Sequence, residues 1–204
     1  MPRRLMPFAS GQYYHLYNRG NNRQAIFFEP ENYLFFLRGL KKYICPTATV
    51  IAYCLMPTHY HLLVRIFSQD DDVSKQQACA VFSRAMQKFM ISYTKSINKR
   101  FSRVGALFQG AFQSKLIDTY PYLINLCLYI HGNPVKDGLV AQPEDWQYSN
   151  YLEWMGERKG KLVDQEFIQQ HFESPQAYQA LLIDYLRSRN LPDDLSNYLL
   201  SLDS

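Results

Sequence analysis

A chain of 204 residues, 47% hydrophobic and 20% charged, can bury the core of one substantial domain with room for a small appendage, which excludes a disordered or peptide-sized module. The formal charge of +4 is unevenly divided: residues 1–120 carry 16 Lys and Arg against 6 Asp and Glu, a net of +10, whereas residues 121–204 carry 6 against 12, a net of −6. The basic part is the expected polyanion-binding part, and a mixed-sign solvated surface is the plainer alternative. Cys45, Cys54, Cys79 and Cys127 show no CxxC or zinc-ribbon spacing, so free thiols in a reducing compartment are expected. The opening MPRRLMPFASGQ lacks a leader's apolar run, and the uncharged residues 43–64 contain Pro46, Pro57 and two histidines, which argues against a lipid-spanning helix. A cytoplasmic protein with no membrane partner is expected.

In chain order, residues 12–18 (QYYHLYN) read as a strand, and a polar loop from Asn18 to Arg23 follows. Glu29, Pro30 and Glu31 open a helix whose apolar stripe is Tyr33, Phe36, Leu37 and Leu40, with an end expected near residues 43–46. Residues 48–55 and 59–66 are β-branched and apolar enough for two strands of a hairpin turning at Met56, Pro57 and Thr58. The run Asp70, Asp71, Asp72 precedes a helix over about 74–99. Phe82, Met86, Phe89, Met90, Tyr93 and Ile97 line one side of it, and Arg84, Lys88, Lys95 and Lys99 the other. No acidic residue occurs between Val73 and Ile117, so this basic row is self-repelling unless an anion covers it; a solvated face is the alternative.

Residues 111–117 look like a further strand, and 119–131 like an apolar helix that Pro134 ends. Beyond residue 140 the chain turns acidic, with helices expected at 164–172, 175–189 and 192–202, the second opened by Ser174 as N-cap and Pro175. The order strand, helix, hairpin, helix, strand, helix implies an α+β sandwich: helices packed on a mainly antiparallel sheet, plus a C-terminal helical tail. Residues 1–140 are expected to form the functional domain and 141–204 an acidic helical extension. That extension either completes the core or packs near the basic surface to restrain entry of a polyanion.

His59 and His61, two apart on a strand, share one face, and two ligands of one ion are the natural reading. Tyr129 and Asn133, four apart on a helix, share another. Two neutral imidazoles suit Mn²⁺ or Zn²⁺, and the Asn133 oxygen moves preference towards Mg²⁺ and Mn²⁺ while leaving positions open for phosphate oxygens and water. Cys54 is set aside as a ligand because its odd separation from His59 places it on the other face of the strand. His15 and His131 are read as structural or DNA-contacting rather than ligating. The loop residues Arg19, Asn21 and Arg23 either read base edges or form a conformationally demanding turn.

The segments HLYNRGNNRQAIFF (15–28), AYCLMPTHYHLLV (52–64), GALFQGAFQSKLID (105–118), YIHGNPVKDGLV (129–140) and WQYSNY (146–151) together resemble the REP-associated tyrosine transposases, a group of single-tyrosine HUH nucleases. The resemblance implies a ferredoxin-like core, His59, His61 and Asn133 as ligands of Mg²⁺ or Mn²⁺, and a Tyr129 phenol oxygen that attacks a DNA phosphate to leave a 5′-phosphotyrosine and a free 3′-hydroxyl. It implies single-stranded DNA carrying hairpins as the partner, for a monomer or homodimer. Arg19, Asn21, Arg23, Arg84, Lys88, Lys95, Lys99 and Lys115 are the expected DNA contacts, with exposed members of the Tyr13, Tyr14, Tyr17 group as stacking platforms. Where the family carries basic residues in GxLFQGRFKS, this chain has Ala111 and Gln113, which leaves Lys115 as the cation of that strand. The rival expectation is a domesticated hairpin-binding protein that no longer cuts.

Overall fold

The short Pro57–Thr58 link between two apolar strands forces a hairpin, and the rest of the sheet is built on it. In the computed structural model, which describes residues 8–67 and 75–203 with side chains over 8–67 and 80–202, strand β1 (Tyr13–Arg19) is followed by helix α1 (Pro30–Gly39) and by the hairpin strands β2 (Ala48–Met56) and β3 (His59–Ile66). Helix α2 (Lys75–Arg100), strand β4 (Gln113–Ile117) and helix α3 (Tyr120–Lys136) complete the core, and α4 (Tyr151–Trp154), α5 (Gln165–His171), α6 (Pro175–Ser188) and α7 (Asp193–Asp203) follow. The Asp70–Asp72 run and the Cys79 side chain lie outside the described residues.

The sheet order is β2-β3-β1-β4 with every pairing antiparallel, the expected α+β sandwich of ferredoxin-like topology. One face carries Leu16, Tyr60, Leu62 and Val64, covered by Tyr33 and Phe36 of α1 and Phe82, Met86, Phe89 and Tyr93 of α2. The other carries Tyr17, Cys54, Leu63 and Ile117, covered by Leu123, Leu126 and Ile130 of α3 and by the tail residues Trp154, Phe167, Tyr178 and Leu199. Alternation along β1 and β3 thus sorts side chains into two cores, and each large side chain so buried is worth roughly 1.5–3 kcal/mol against exposure.

Helix α1 opens as expected: Pro30 takes the first turn, and Asn32 Oδ1 accepts from the Phe28 and Glu29 backbone N–H groups at 2.9 and 3.2 Å. It runs into a π turn over Leu40–Ile44. Ser174 caps α6 through the Ala177 N–H at 3.1 Å. Helix α3 departs from the expectation that Pro134 ends it. The helix continues to Lys136, because Pro134 forfeits only its own N–H bond and the residues beyond it still find carbonyl partners. Asp137, Gly138 and Leu139 close its end by donating to Asn133, Val135 and Pro134 carbonyls.

The free edge of β2 is covered by residues 146–150. Leu55 N–H donates to Tyr148 O at 2.9 Å, Asn150 N–H to Tyr53 O at 3.3 Å, and Trp146 Nε1 to Leu55 O at 3.1 Å. A bulge between Val50 and Ala52 turns the Ile51 carbonyl out of the ladder, and Asn150 Nδ2 and Trp154 Nε1 donate to it at 2.8 and 3.2 Å. At Gly132 an added Cβ would stand 3.0 Å from the Tyr185 ring, so the glycine allows α6 to pack closely on α3. No helix among the described residues is long and apolar enough to cross a membrane. Cys54 and Cys127 are buried free thiols, and Cys45 is a half-buried one.

Candidate active site

Residues opposite one another in an antiparallel ladder share a face, so register decides which side chains meet. His61 pairs with Tyr17 and His59 with Arg19 across β3 and β1, while His15 pairs with Lys115 across β1 and β4. Arg19, Tyr17, His15, His59, His61 and Lys115 therefore share the face that α3 covers. The two sequence-paired histidines stand with ring centroids 5.0 Å apart, and the Tyr17 ring lies 4.9 Å from that of His61.

Helix α3 brings Tyr129 to this group: its ring meets that of His61 edge to face at 5.2 Å. Asn133 lies one turn further along the same side of the helix and is buried to 1% exposure. Lys136, three residues beyond, places Nζ 5.1 Å from the centre of the Tyr129 ring. Sequence reasoning missed Lys136, although its spacing of three and seven from Asn133 and Tyr129 was the available signal.

The polar atoms here are unusual in what they lack. Among the described residues, His61 Nε2 and both amide atoms of Asn133 are buried with no hydrogen-bond partner, a costly state for polar groups unless something else meets them. His61 Nδ1 lies 3.0 Å from His15 Nε2, and His59 Nδ1 lies 3.0 Å from Thr58 Oγ1, so the nitrogen each ring would offer an ion is Nε2. Burial holds the His61 imidazole well below the usual histidine range, reinforced by His59, His15, Lys136 and Arg19. Burial likewise brings His15 down to about 3, with Lys115 adding to it. Neutral rings are the form that binds metal. Among the described residues no group of three or more His, Cys, Asp or Glu converges as a metal site. The two imidazoles and the amide would make a donor set that fits an open catalytic ion and not a closed structural one.

Two sequence expectations change, and of the two readings of His131 the structural one holds. Cys54 is on the histidine face: it pairs with His61 across the hairpin, and counting residues around a turn does not fix the facing of the partner strand. Its thiol is directed to Met56 Sδ at 3.6 Å, and burial raises its pKa well above the normal range. The tyrosines of β1 are not stacking platforms. Tyr14 and Tyr17 are buried, with Tyr14 Oη accepting from Ala9 N–H at 2.8 Å and Tyr17 Oη donating to Leu202 O at 3.2 Å, while Tyr13 lies against Phe167. His131 faces away from the site into the tail, between Tyr178 Oη at 2.6 Å and Asn150 Oδ1 at 2.9 Å, and is structural.

The expected DNA contacts divide. Arg19 and Lys115 lie on the face of the sheet that carries His59 and His61, Lys115 with Nζ 4.3 Å from the Tyr198 ring centre and 4.9 Å from that of Tyr122. Arg84, Lys88, Lys95 and Lys99 are exposed on α2, on the opposite side of the sheet from Tyr129. The loop with Asn21 and Arg23 is a demanding turn: Asn22 and Arg23 take left-handed φ of 53° and 56°, and a Cβ on Gly20 would meet Gln24 O at 1.9 Å. Asn18 is buried within it, donating to Gly110 O at 3.1 Å, whereas Asn22 and Arg23 are exposed.

Comparison with known proteins follows the same lines. No family model matches the chain. A Haemophilus influenzae protein named as a REP-associated tyrosine transposase is 33% identical over 125 residues, 59% of this chain and 69% of that protein. A solved REP-associated tyrosine transposase bound to a REP hairpin superposes with a TM-score of 0.59 at 20% identity, over 80% of this chain and 94% of that one, which shows a shared fold. A bacterial tRNA(His) guanylyltransferase-like protein in complex with GTP reaches a TM-score of 0.46 at 8% identity over 66% of this chain and 67% of that one.

Proposed function

The chain belongs to the REP-associated tyrosine transposases, and we propose that it cuts and rejoins single-stranded DNA beside hairpins, with Tyr129 as nucleophile and His59, His61 and Asn133 as the holders of Mg²⁺ or Mn²⁺. The observation that carries this reading is the pair of buried, unpartnered polar groups, His61 Nε2 and the Asn133 amide, on the strand and helix that the Tyr129 ring joins. When bound, the ion supplies charge to polarise the scissile phosphate and offset what develops on its oxygens.

Tyr129 Oη attacks the phosphorus, the bond to the 3′ oxygen breaks, and the departing oxygen takes a proton to leave a 3′-hydroxyl and a 5′-phosphotyrosine. The phenolic proton goes to solvent. Because the new linkage is a phosphodiester, an incoming 3′-hydroxyl reverses the step and joins strands with no nucleotide cofactor. Lys136 beside the Tyr129 ring offsets negative charge on the phenol oxygen, both as it attacks and as it leaves.

Arg19 and Lys115 on the catalytic face hold the strand being cut, and Asn21 and Arg23 meet it at the rim. Arg84, Lys88, Lys95 and Lys99 form a separate track on the far side, suited to the duplex stem of the hairpin. Residues 1–140 provide the nucleophile and ligands, and residues 141–204 are an extension bracing them. The same reading has the protein acting in the cytoplasm, as a monomer or homodimer.

The test is incubation with hairpin-bearing single-stranded DNA and Mg²⁺ or Mn²⁺, followed by a search for DNA attached to the tryptic peptide containing Tyr129. An adduct that disappears in Tyr129→Phe and in His59→Ala establishes the nuclease. Tight, metal-independent hairpin binding with no adduct replaces it with the non-catalytic hairpin-binding reading.

A further inference from the structure

His61 is held by a row of side chains that begins in the last helix of the chain. Tyr198 Oη on α7 lies 2.9 Å from His15 Nδ1, and His15 Nε2 lies 3.0 Å from His61 Nδ1. The two imidazoles are nearly parallel, 12° apart with centroids at 5.1 Å, and both are buried. Helix α7 is fixed where it stands by Leu195, Leu199 and Leu202 in the second core and by the hydrogen bond from Tyr17 Oη to Leu202 O.

Counting hydrogens along this row leaves two orders, since each neutral imidazole carries a single N–H. In the first, His61 Nδ1–H donates to His15 Nε2 and His15 Nδ1–H donates to the Tyr198 oxygen, so that His61 Nε2 keeps a bare lone pair. In the second, every bond is reversed and His61 Nε2 carries a buried hydrogen with no acceptor among the described residues. The first order leaves over only the Tyr198 hydroxyl hydrogen, and Tyr198, unlike the two histidines, is only partly buried, at the outer end of the row where water can accept it.

We propose that Tyr198, acting through His15, is a positioning residue for His61: the row holds His61 as its Nδ1–H tautomer and keeps the Nε2 lone pair available to a divalent cation. This inference rests on the reading of His61 as a metal ligand. It gives the acidic C-terminal extension a part in the site that neither the His pair nor the Tyr129 helix reveals. The arrangement is that of an outer-shell partner, whose loss ordinarily lowers metal affinity 10- to 100-fold. Tyr198 is one residue further out than His15, so the lower end of that range is expected for it.

The experiment uses the full chain with Mn²⁺ alone as probe. Mn²⁺ affinity is measured by titration, and the tautomers of His15 and His61 are read from ¹⁵N-resolved NMR of the metal-free protein. Tyr198→Phe keeps the ring beside Lys115 and deletes the oxygen. It is expected to weaken Mn²⁺ about tenfold and to convert His61 from a single Nδ1–H tautomer to a mixture. His15→Gln, which retains an acceptor for His61 Nδ1–H, should bind Mn²⁺ more tightly than His15→Phe. Wild-type affinity and an unchanged His61 tautomer in Tyr198→Phe overturn the proposal; if His61→Ala nevertheless loses Mn²⁺, the ligand reading stands without it. A wild-type protein that binds Mn²⁺ no better than His61→Ala overturns both.

Discussion

The rings of His61 and Tyr129 meet edge to face with centroids 5.2 Å apart, joining the central strand of the sheet to the helix that crosses it. On the proposed reading, the scissile phosphate would sit within reach of the Tyr129 phenol oxygen and of His61 Nε2 together. The Lys136 ammonium beside the same Tyr129 ring is the nearby cation on α3.

Lys136→Met should therefore slow single-turnover adduct formation by about tenfold or more at saturating DNA, less than the roughly 10²–10³ for a buried donor aimed at a developing oxyanion, because Lys136 is exposed to water. Hairpin affinity should change little. An unaltered rate would show that the ammonium does not act on the reacting oxygen.

The basic row of α2 should behave in the opposite way. Replacing Arg84, Lys88, Lys95 and Lys99 together with Ser should weaken hairpin binding and flatten its salt dependence, by about 0.9 in log–log slope for each duplex phosphate that the variant no longer neutralises. Cleavage at saturating DNA should persist, because these side chains lie across the sheet from Tyr129. An unchanged slope would leave the row as a solvated face.

Asn150 is expected to be among the most sensitive structural positions. Its Oδ1 accepts from Tyr53 N–H at 2.8 Å and His131 Nε2 at 2.9 Å, and its Nδ2 donates to Ile51 O at 2.8 Å and Leu162 O at 3.2 Å. Asn150→Ala strands several of these partners in the interior and should cost about 4 kcal/mol in urea unfolding. A loss below about 1 kcal/mol would mean that the bulge in β2 finds other partners.

Stability should also fall on mild acidification. Burial lowers His131 to about 4 and His15 to about 3, against 6.5 for an unburied histidine. Below pH 6.5 the unfolded chain binds protons that the folded chain refuses. The stabilisation is thus complete above pH 6.5 and is lost as pH falls towards these values. For His131 the loss by pH 4 is on the order of 3 kcal/mol. Urea midpoints between pH 7 and 4.5 should decline, and less steeply in His131→Gln; a flat wild-type profile contradicts the burial argument.

Much of the site was legible in the sequence. Period-two alternation put His59 and His61 on one face, and period-3.6 spacing aligned Tyr129 with Asn133, because both relations are local and follow from backbone geometry alone. The same locality extends to the Ser174 N-cap of α6. Pro134 was misleading because a proline's effect on a helix depends on how many hydrogen bonds remain beyond it, and the position of the helix end is set by the carbonyl partners that follow.

By itself the sequence determined the element order, the antiparallel α+β class, the His and Tyr faces and the family to which the chain belongs. Tertiary structure decided what lies opposite what. Cross-strand register set Cys54 and Tyr17 beside His61 and Lys115 beside His15, and the two-sided covering of the sheet put the α2 basic row away from Tyr129. It also carried Tyr198, 183 residues from His15 in the chain, to the end of the row that holds His61. Pairings over such distances are fixed by the burial of whole faces, and no local periodicity in the sequence encodes them.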